Sequence, residues 1–162
     1  MAKNYKISVS LRKQENDEPV YHKQDGERFS KSQTVKLNVN TDYWIKLTIR
    51  PSMILRGLVL HGERTEFVPD TPTTSADEDA VYYKAQFSTV NYDSHNRGNR
   101  KDLTFLFEFD HGVTMKTSVQ IKLYKTGETE HSSWGQALTV IDYDCKLLDG
   151  HTYVDIVSEK YL

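Results

Sequence analysis

Asp142 and Asp144 stand two residues apart in the stretch S-S-W-G-Q-A-L-T-V-I-D-Y-D-C-K-L-L, and the only cysteine of the chain, Cys145, follows directly. Two carboxylates flanking a glycosidic bond at about 5–9 Å can hydrolyse it, provided that burial raises the pKa of one of them. A cysteine becomes a nucleophile when a base lies nearby and its thiolate is stabilised. Strand geometry argues against both roles. Alternate residues of a strand point to opposite faces, so if Ile141, Tyr143 and Cys145 face inward, then Leu138, Val140, Asp142 and Asp144 share the other face. Solvent there keeps both carboxylates ionised, and nothing beside Cys145 in sequence supplies a base. The pair reads as the wet edge of a strand and the thiol as core packing.

Other reactive groups are scattered. The histidines, at 22, 61, 95, 111, 131 and 151, form no H-x-H or H-E-x-x-H pattern, and a single cysteine cannot supply a zinc ligand pair. No glycine-rich phosphate loop occurs, so no metal or cofactor is expected. Arg97, Arg100 and Lys101 cluster in the polar run N-Y-D-S-H-N-R-G-N-R-K-D, three cations that read first as a solvated loop and otherwise suit a phosphate or an anionic lipid as partner. Trp44, Tyr82 and Tyr124 fall opposite the apolar faces of their strands, where they offer a platform for a sugar or peptide or simply cover the fold.

The elements that position these residues follow from period-two alternation. Tyr5, Ile7, Val9 and Leu11 share a face, as do Val35, Leu37 and Val39, and Tyr43, Ile45, Leu47 and Ile49. The pattern returns at Val81 to Phe87, at Leu103 to Phe109, at Val119, Ile121 and Leu123, and at Val154 and Ile156. Asp25-Gly26, His61-Gly62, His111-Gly112, Thr126-Gly127 and Asp149-Gly150 supply turn chemistry between runs and are expected to join neighbouring strands. Helical spacing is absent beyond a short turn near Thr129 to Gly135. The expected fold is all-β, an antiparallel β-sandwich or flattened barrel of about ten strands, in one domain over residues 1–162.

Composition narrows the partners. With 21 basic and 23 acidic residues the net charge is -2, so binding to nucleic acid or a membrane surface has to come from a local patch, and no nucleic-acid partner is expected. One cysteine and the absence of an apolar leader fit a reducing, cytoplasmic setting. No run approaches the ~20 apolar residues of a membrane helix, so no integral membrane segment is expected.

The order and spacing of several segments carry a resemblance. They are S-V-S-L-R-K-Q-E-N-D-E-P-V-Y-H-K-Q-D-G-E-R-F, T-V-K-L, Y-W-I-K-L-T-I-R-P-S, V-Q-I-K-L-Y and W-G-Q-A-L-T-V-I-D-Y-D-C-K. Together they resemble the cannabinoid receptor-interacting protein family, most specifically in Asp25 to Phe29 and Trp134 to Lys146, and least from Leu58 to Asn99. The resemblance implies a divergent, invertebrate-type member with a sandwich similar to Rho GDP-dissociation inhibitors. It implies a non-enzymatic, monomeric cytoplasmic adaptor, held at the inner face of the plasma membrane through its partner. That partner would be the cytoplasmic C-terminal tail of a cannabinoid-type receptor, whose G-protein signalling the adaptor attenuates.

It also implies an alternative, a carrier for lipid-modified proteins such as a lipidated G protein α subunit. Ile7, Val9, Ile45, Leu47, Val119, Ile121, Ile141 and Tyr143 would then line an inter-sheet cavity for the acyl or prenyl chain. Family ends are read as PDZ ligands; here Glu159-Lys160-Tyr161-Leu162 keeps the apolar terminus, making Tyr161 and Leu162 partner-binding candidates, but places Lys160 where a hydroxyl belongs.

Overall fold

The structure is a computed structural model that describes residues 2–25, 31–70, 79–94 and 100–162. Among these residues, thirteen strands form two sheets packed face to face and not closed into a barrel. The six-stranded sheet runs β13-β12-β1-β4-β8-β7, from β1 (Lys3–Lys13), β4 (Asp42–Arg50), β7 (Phe67–Pro69), β8 (Val81–Ser88), β12 (Ile141–Leu147) and β13 (Asp155–Tyr161). The seven-stranded sheet runs β11-β2-β3-β10-β9-β5-β6, from β2 (Val20–Gln24), β3 (Gln33–Asn38), β5 (Leu55–Leu60), β6 (Glu63–Arg64), β9 (Lys101–Phe109), β10 (Thr114–Tyr124) and β11 (Gln136–Leu138). Three of the thirteen (β6, β7, β11) are two or three residues long, which leaves the expected ten of ordinary length.

The alternating apolar residues account for the layers. Ile7, Val9 and Leu11 of β1, Tyr43 to Ile49 of β4, and Ile141, Tyr143 and Cys145 of β12 all lie in one buried cluster. They meet Leu103 to Phe109 of β9 and Val119, Ile121 and Leu123 of β10 from the facing sheet. Phe105, Phe107 and Phe109 stack in succession along β9, with ring centroids 6.0 and 6.3 Å apart. Two tyrosine hydroxyls pin one sheet to the other: Tyr43 accepts the Asn38 N–H at 2.7 Å and Tyr83 accepts the Leu55 N–H at 3.2 Å.

The pairing is not wholly antiparallel. β3 and β10 run parallel, with Val35 opposite Ile121 and Leu37 opposite Leu123. Each belongs to its own antiparallel hairpin, β2–β3 and β9–β10, and the two hairpins join side by side through this pair. His61-Gly62 and His111-Gly112 occupy positive φ and close the β5–β6 and β9–β10 connections. Thr126-Gly127, by contrast, does not lead to an adjacent strand: it opens a long segment that crosses to β11 at the far edge of the sheet. Leu138 likewise departs from expectation. It belongs to β11 and is buried, because the chain changes sheets between it and Ile141 and the alternation restarts there. No helix among the described residues is long and apolar enough to cross a membrane.

Ile45 of β4 is fully buried in this core. Its replacement by Ala is expected to lower the unfolding free energy by about 2–5 kcal/mol in urea titrations. Ser10→Ala, on the outer face of the neighbouring strand, is expected to change it by less than about 0.5 kcal/mol.

Candidate interaction site

Asp142 and Asp144 do face away from the core, but they lie on an interior strand and not at an edge, since β12 runs between β13 and β1. The Asp142 carboxylate accepts the Ser8 hydroxyl at 2.7 Å and that of Asp144 accepts Ser158 at 2.8 Å. Lys160 stands opposite Asp142, and Lys6 opposite Asp144, in the ladders. The two aspartates are thus members of a polar sheet surface, each committed to a neighbouring strand. Cys145 is buried with its sulfur 4.0 Å from the Met115 sulfur, and burial pushes its pKa up to about 12. A thiol held neutral in this way is a packing group.

The outward residues of β1, β4 and β8 in the six-stranded sheet are half-buried to exposed. Lys6, Arg12, Lys46, Arg50 and Lys84 project from it, interleaved with Trp44 and Tyr82. Lys46 lies directly opposite Lys84, and Lys6 directly opposite Arg50. The Lys84 ammonium sits 4.9 Å from the centre of the Trp44 ring. Trp44 and Tyr82 therefore do share a platform, while Tyr124 belongs to the other sheet, under the Lys122 ammonium.

The opposite outer face is covered over β3. β3 is buried on both sides, and Thr34, Lys36 and Asn38 all point out from its apolar row. The segment from Lys125 to Gly135 folds over them and turns its backbone carbonyls inward. Lys36 donates to His131 O at 3.0 Å and Trp134 O at 2.6 Å; Asn38 donates to Lys125 O at 3.0 Å and Glu128 O at 2.7 Å. Burial, and then the charges of Lys23 and Lys122, lower the pKa of Lys36. Gly135 adopts φ +112, and a Cβ there would stand 3.0 Å from His22 O. The Trp134 ring lies over the Lys36 ammonium, its centre 5.5 Å away, yet the side chain is 71% exposed, next to the edge strand β11.

Beside Lys36 lies an ion pair that the sequence reading missed. Arg100 and Asp25 are 7% and 6% exposed and meet at 3.0 Å, with Thr34 donating to the same carboxylate. Gln120 in turn donates to Thr34 at 2.8 Å. Burial works to raise the Asp25 pKa, but hydrogen bonds from Arg100 and Thr34 and the charges of Arg100 and Lys23 more than offset it, so the pKa lies below its ordinary value.

The expected partner cations thus part company. Arg100 is turned inward, Lys101 lies over the Tyr92 ring at 4.8 Å, and Arg97 falls outside the described residues, as do Gly26 to Phe29 of the Asp25 motif. Tyr161 is half-buried beside His22, their ring centroids 5.9 Å apart, and Leu162 exchanges backbone hydrogen bonds with Val140. The eight residues proposed for an acyl cavity are each 0–1% exposed within the core. At one end of the sandwich, Tyr5, Met53 and Leu147 extend this core to a surface cleft of about 310 Å³ that also includes Val113 and His151.

A two-sheet β-sandwich whose distinctive groups lie on an open basic face and a pinned aromatic loop belongs among domains that present surfaces. The chain belongs to the CB1 cannabinoid receptor-interacting protein 1 family, whose model matches residues 1–161. It is 29% identical to "CB1 cannabinoid receptor-interacting protein 1" of Homo sapiens, over 97% of this chain and 95% of that protein. The Bos taurus and Rattus norvegicus proteins of the same name are each 28% identical, with the same coverage.

Removing one partner of a buried ion pair strands the other, so Arg100→Ala is expected to cost about 3–5 kcal/mol of stability. Asp25 has a native pKa below its unfolded value of 3.8, so its contribution is complete above that value and is lost as pH falls through the native one. The stability deficit of Asp25→Asn, followed by denaturant melts against pH, is therefore expected to stay level from neutrality down to about pH 5 and to narrow below about pH 4. Cys145 is expected to resist a thiol reagent such as dithionitrobenzoate in the native protein and to react fully once urea unfolds it. Fast labelling of the native form would show a thiol exposed by opening of the core.

Proposed function

We propose that this protein is a non-enzymatic adaptor that binds the cytoplasmic C-terminal tail of a cannabinoid-type receptor and attenuates its coupling to G proteins. The observation that carries the reading is the similarity across 97% of the chain to proteins named for interaction with the CB1 receptor. Trp134 supports it as a physical anchor. Exposed tryptophans on well-ordered backbone are frequent hot spots, because a large rigid surface is buried at little conformational cost. The three-residue edge of β11 beside it leaves main-chain groups for an extended tail to pair with.

A second reading has its own observation. The core residues Ile7, Val9, Ile45, Leu47, Val119, Ile121, Ile141 and Tyr143 are continuous with the half-buried Tyr5, Met53 and Leu147 at the end cleft. An acyl chain from a lipidated G protein α subunit would enter there, gaining about 0.8 kcal/mol per buried CH₂.

Calorimetric titration separates the two. With a synthetic cannabinoid-receptor tail peptide, the adaptor reading expects binding that weakens about tenfold or more in Trp134→Ala. With an α-subunit N-terminal peptide in myristoylated and unmodified forms, the carrier reading expects binding of the acylated form alone, with a negative heat-capacity change. Failure of the wild type to bind the tail peptide would overturn the adaptor assignment. Equal or absent binding of the two acyl-test peptides would overturn the carrier.

A further inference from the structure

We infer that the open face of the six-stranded sheet docks directly on an anionic lipid bilayer. β1, β4 and β8 present Lys6, Arg12, Lys46, Arg50 and Lys84 on this face, against Asp42 at its corner and Asp142 and Asp144 on the adjoining β12. The chain as a whole is slightly acidic at -2, so the positive charge is concentrated here and not a property of the molecule at large. Like charges directly opposite one another in a ladder are destabilising. This face nevertheless sets Lys46 against Lys84. Among the described residues, no ion pair relieves Lys46 or Lys84, while Lys6 also faces Asp144 across the ladder. A negative surface laid over the face would turn that repulsion into attraction.

The shape of the patch selects the partner. From Trp44 to Arg50 the face extends roughly 20 Å along β4, and three strands span about 10 Å across it. β1 and β4 have neighbours on both sides and β8 is flanked by β4 and β7, so the face offers an extended peptide no open ladder. None of the described clefts is lined by its cations Lys6, Lys46, Arg50 or Lys84. What it offers is a two-dimensional array of cations with two amphipathic rings, Trp44 and Tyr82, among them. Tryptophan and tyrosine settle at the headgroup level of bilayers, and basic residues near the cytoplasmic leaflet are drawn to phosphatidylserine and phosphoinositides. Val68, exposed on the adjoining β7 opposite Lys84, adds an apolar contact at the rim. This inference does not rest on the receptor reading, since it requires lipid alone.

The test is co-sedimentation of the full chain with phosphatidylcholine vesicles, with or without one third phosphatidylserine. Binding is expected only to the anionic vesicles and is expected to fade as salt is raised. Lys46→Gln combined with Lys84→Gln is expected to reduce the partition coefficient about 30-fold, while Lys116→Gln with Lys125→Gln, away from this face, changes it less than about twofold. Urea melts of each variant establish that it is folded. In a Trp134→Phe background, Trp44 is the sole tryptophan, and its emission is expected to shift to the blue on anionic vesicles. Absence of binding to anionic vesicles would overturn the proposal, as would equal loss in the two double variants. Capture of a soluble acidic peptide by this face, with no vesicle binding, would reassign it to a protein partner.

Discussion

The burial of β3 on both faces is the constraint on which much of this molecule turns. One face, Val35 and Leu37, is ordinary core; the other consists of Thr34, Lys36 and Asn38, which cannot be taken out of water without partners. Lys36 is the most demanding, because its ammonium brings three donors and no acceptor. Backbone carbonyls are the neutral groups able to meet it, and the Lys125–Gly135 segment supplies two of them. The Trp134 ring lies over the same ammonium, its centre 5.5 Å from it, and Gly135 takes a backbone conformation closed to most residues. The placement of Trp134 is therefore tied to how a buried lysine is satisfied. Asp25, Arg100 and Gln120 meet the same demand for Thr34 at the other end of the strand.

The outer sides of two interior strands are treated differently. In the seven-stranded sheet, the polar side chains of β3 are covered and satisfied within the molecule, which gives a rigid but internally committed strand. In the six-stranded sheet, the outward row of β4 is half-buried, and Lys46 there has no ion pair among the described residues. Covering a charged group requires a partner for each of its donors, whereas solvated lysines set opposite one another cost only the screened repulsion between them. The open face is thus the less stable arrangement locally and the more available one for a partner. Asp142 and Asp144 belong to its quieter flank, where serines and facing lysines already balance them.

The inward rows could be read directly from sequence. Ile7, Val9 and Leu11, or Leu103 to Phe109, alternate with polar residues, and that period fixes the face of each residue without knowledge of the partner strand. What lies over the other face is not encoded in the same way. Thr34, Lys36 and Asn38 alternate just as Lys46, Thr48 and Arg50 do, yet one set is buried and the other only half-buried. The difference is made by a segment about ninety residues downstream, a tertiary choice with no local signature. Arg100 was misread as a loop cation for the same reason, since its partner Asp25 is 75 residues away. The parallel β3–β10 pair escaped because turn chemistry specifies hairpins and says nothing of how two hairpins are set side by side.

Packing also dictates where a guest between the sheets would have to enter. At the end near Lys13 and Asp42, the Tyr43 hydroxyl ties the sheets together through Asn38, and the neighbouring surface cleft is lined by polar side chains. A hydrocarbon chain gains nothing from that lining. At the opposite end Tyr5, Met53 and Leu147 are only half-buried and form the outermost apolar layer, so separating the sheets there breaks apolar contacts that the guest itself would replace, together with the Tyr83–Leu55 hydrogen bond two residues from Met53, which it would not. The eight core residues beyond are each 0–1% exposed, so any such opening displaces native side chains. A ligand would therefore compete with the packing of Ile7 and Tyr143, and its net affinity would be the burial of its own methylenes less the cost of that displacement.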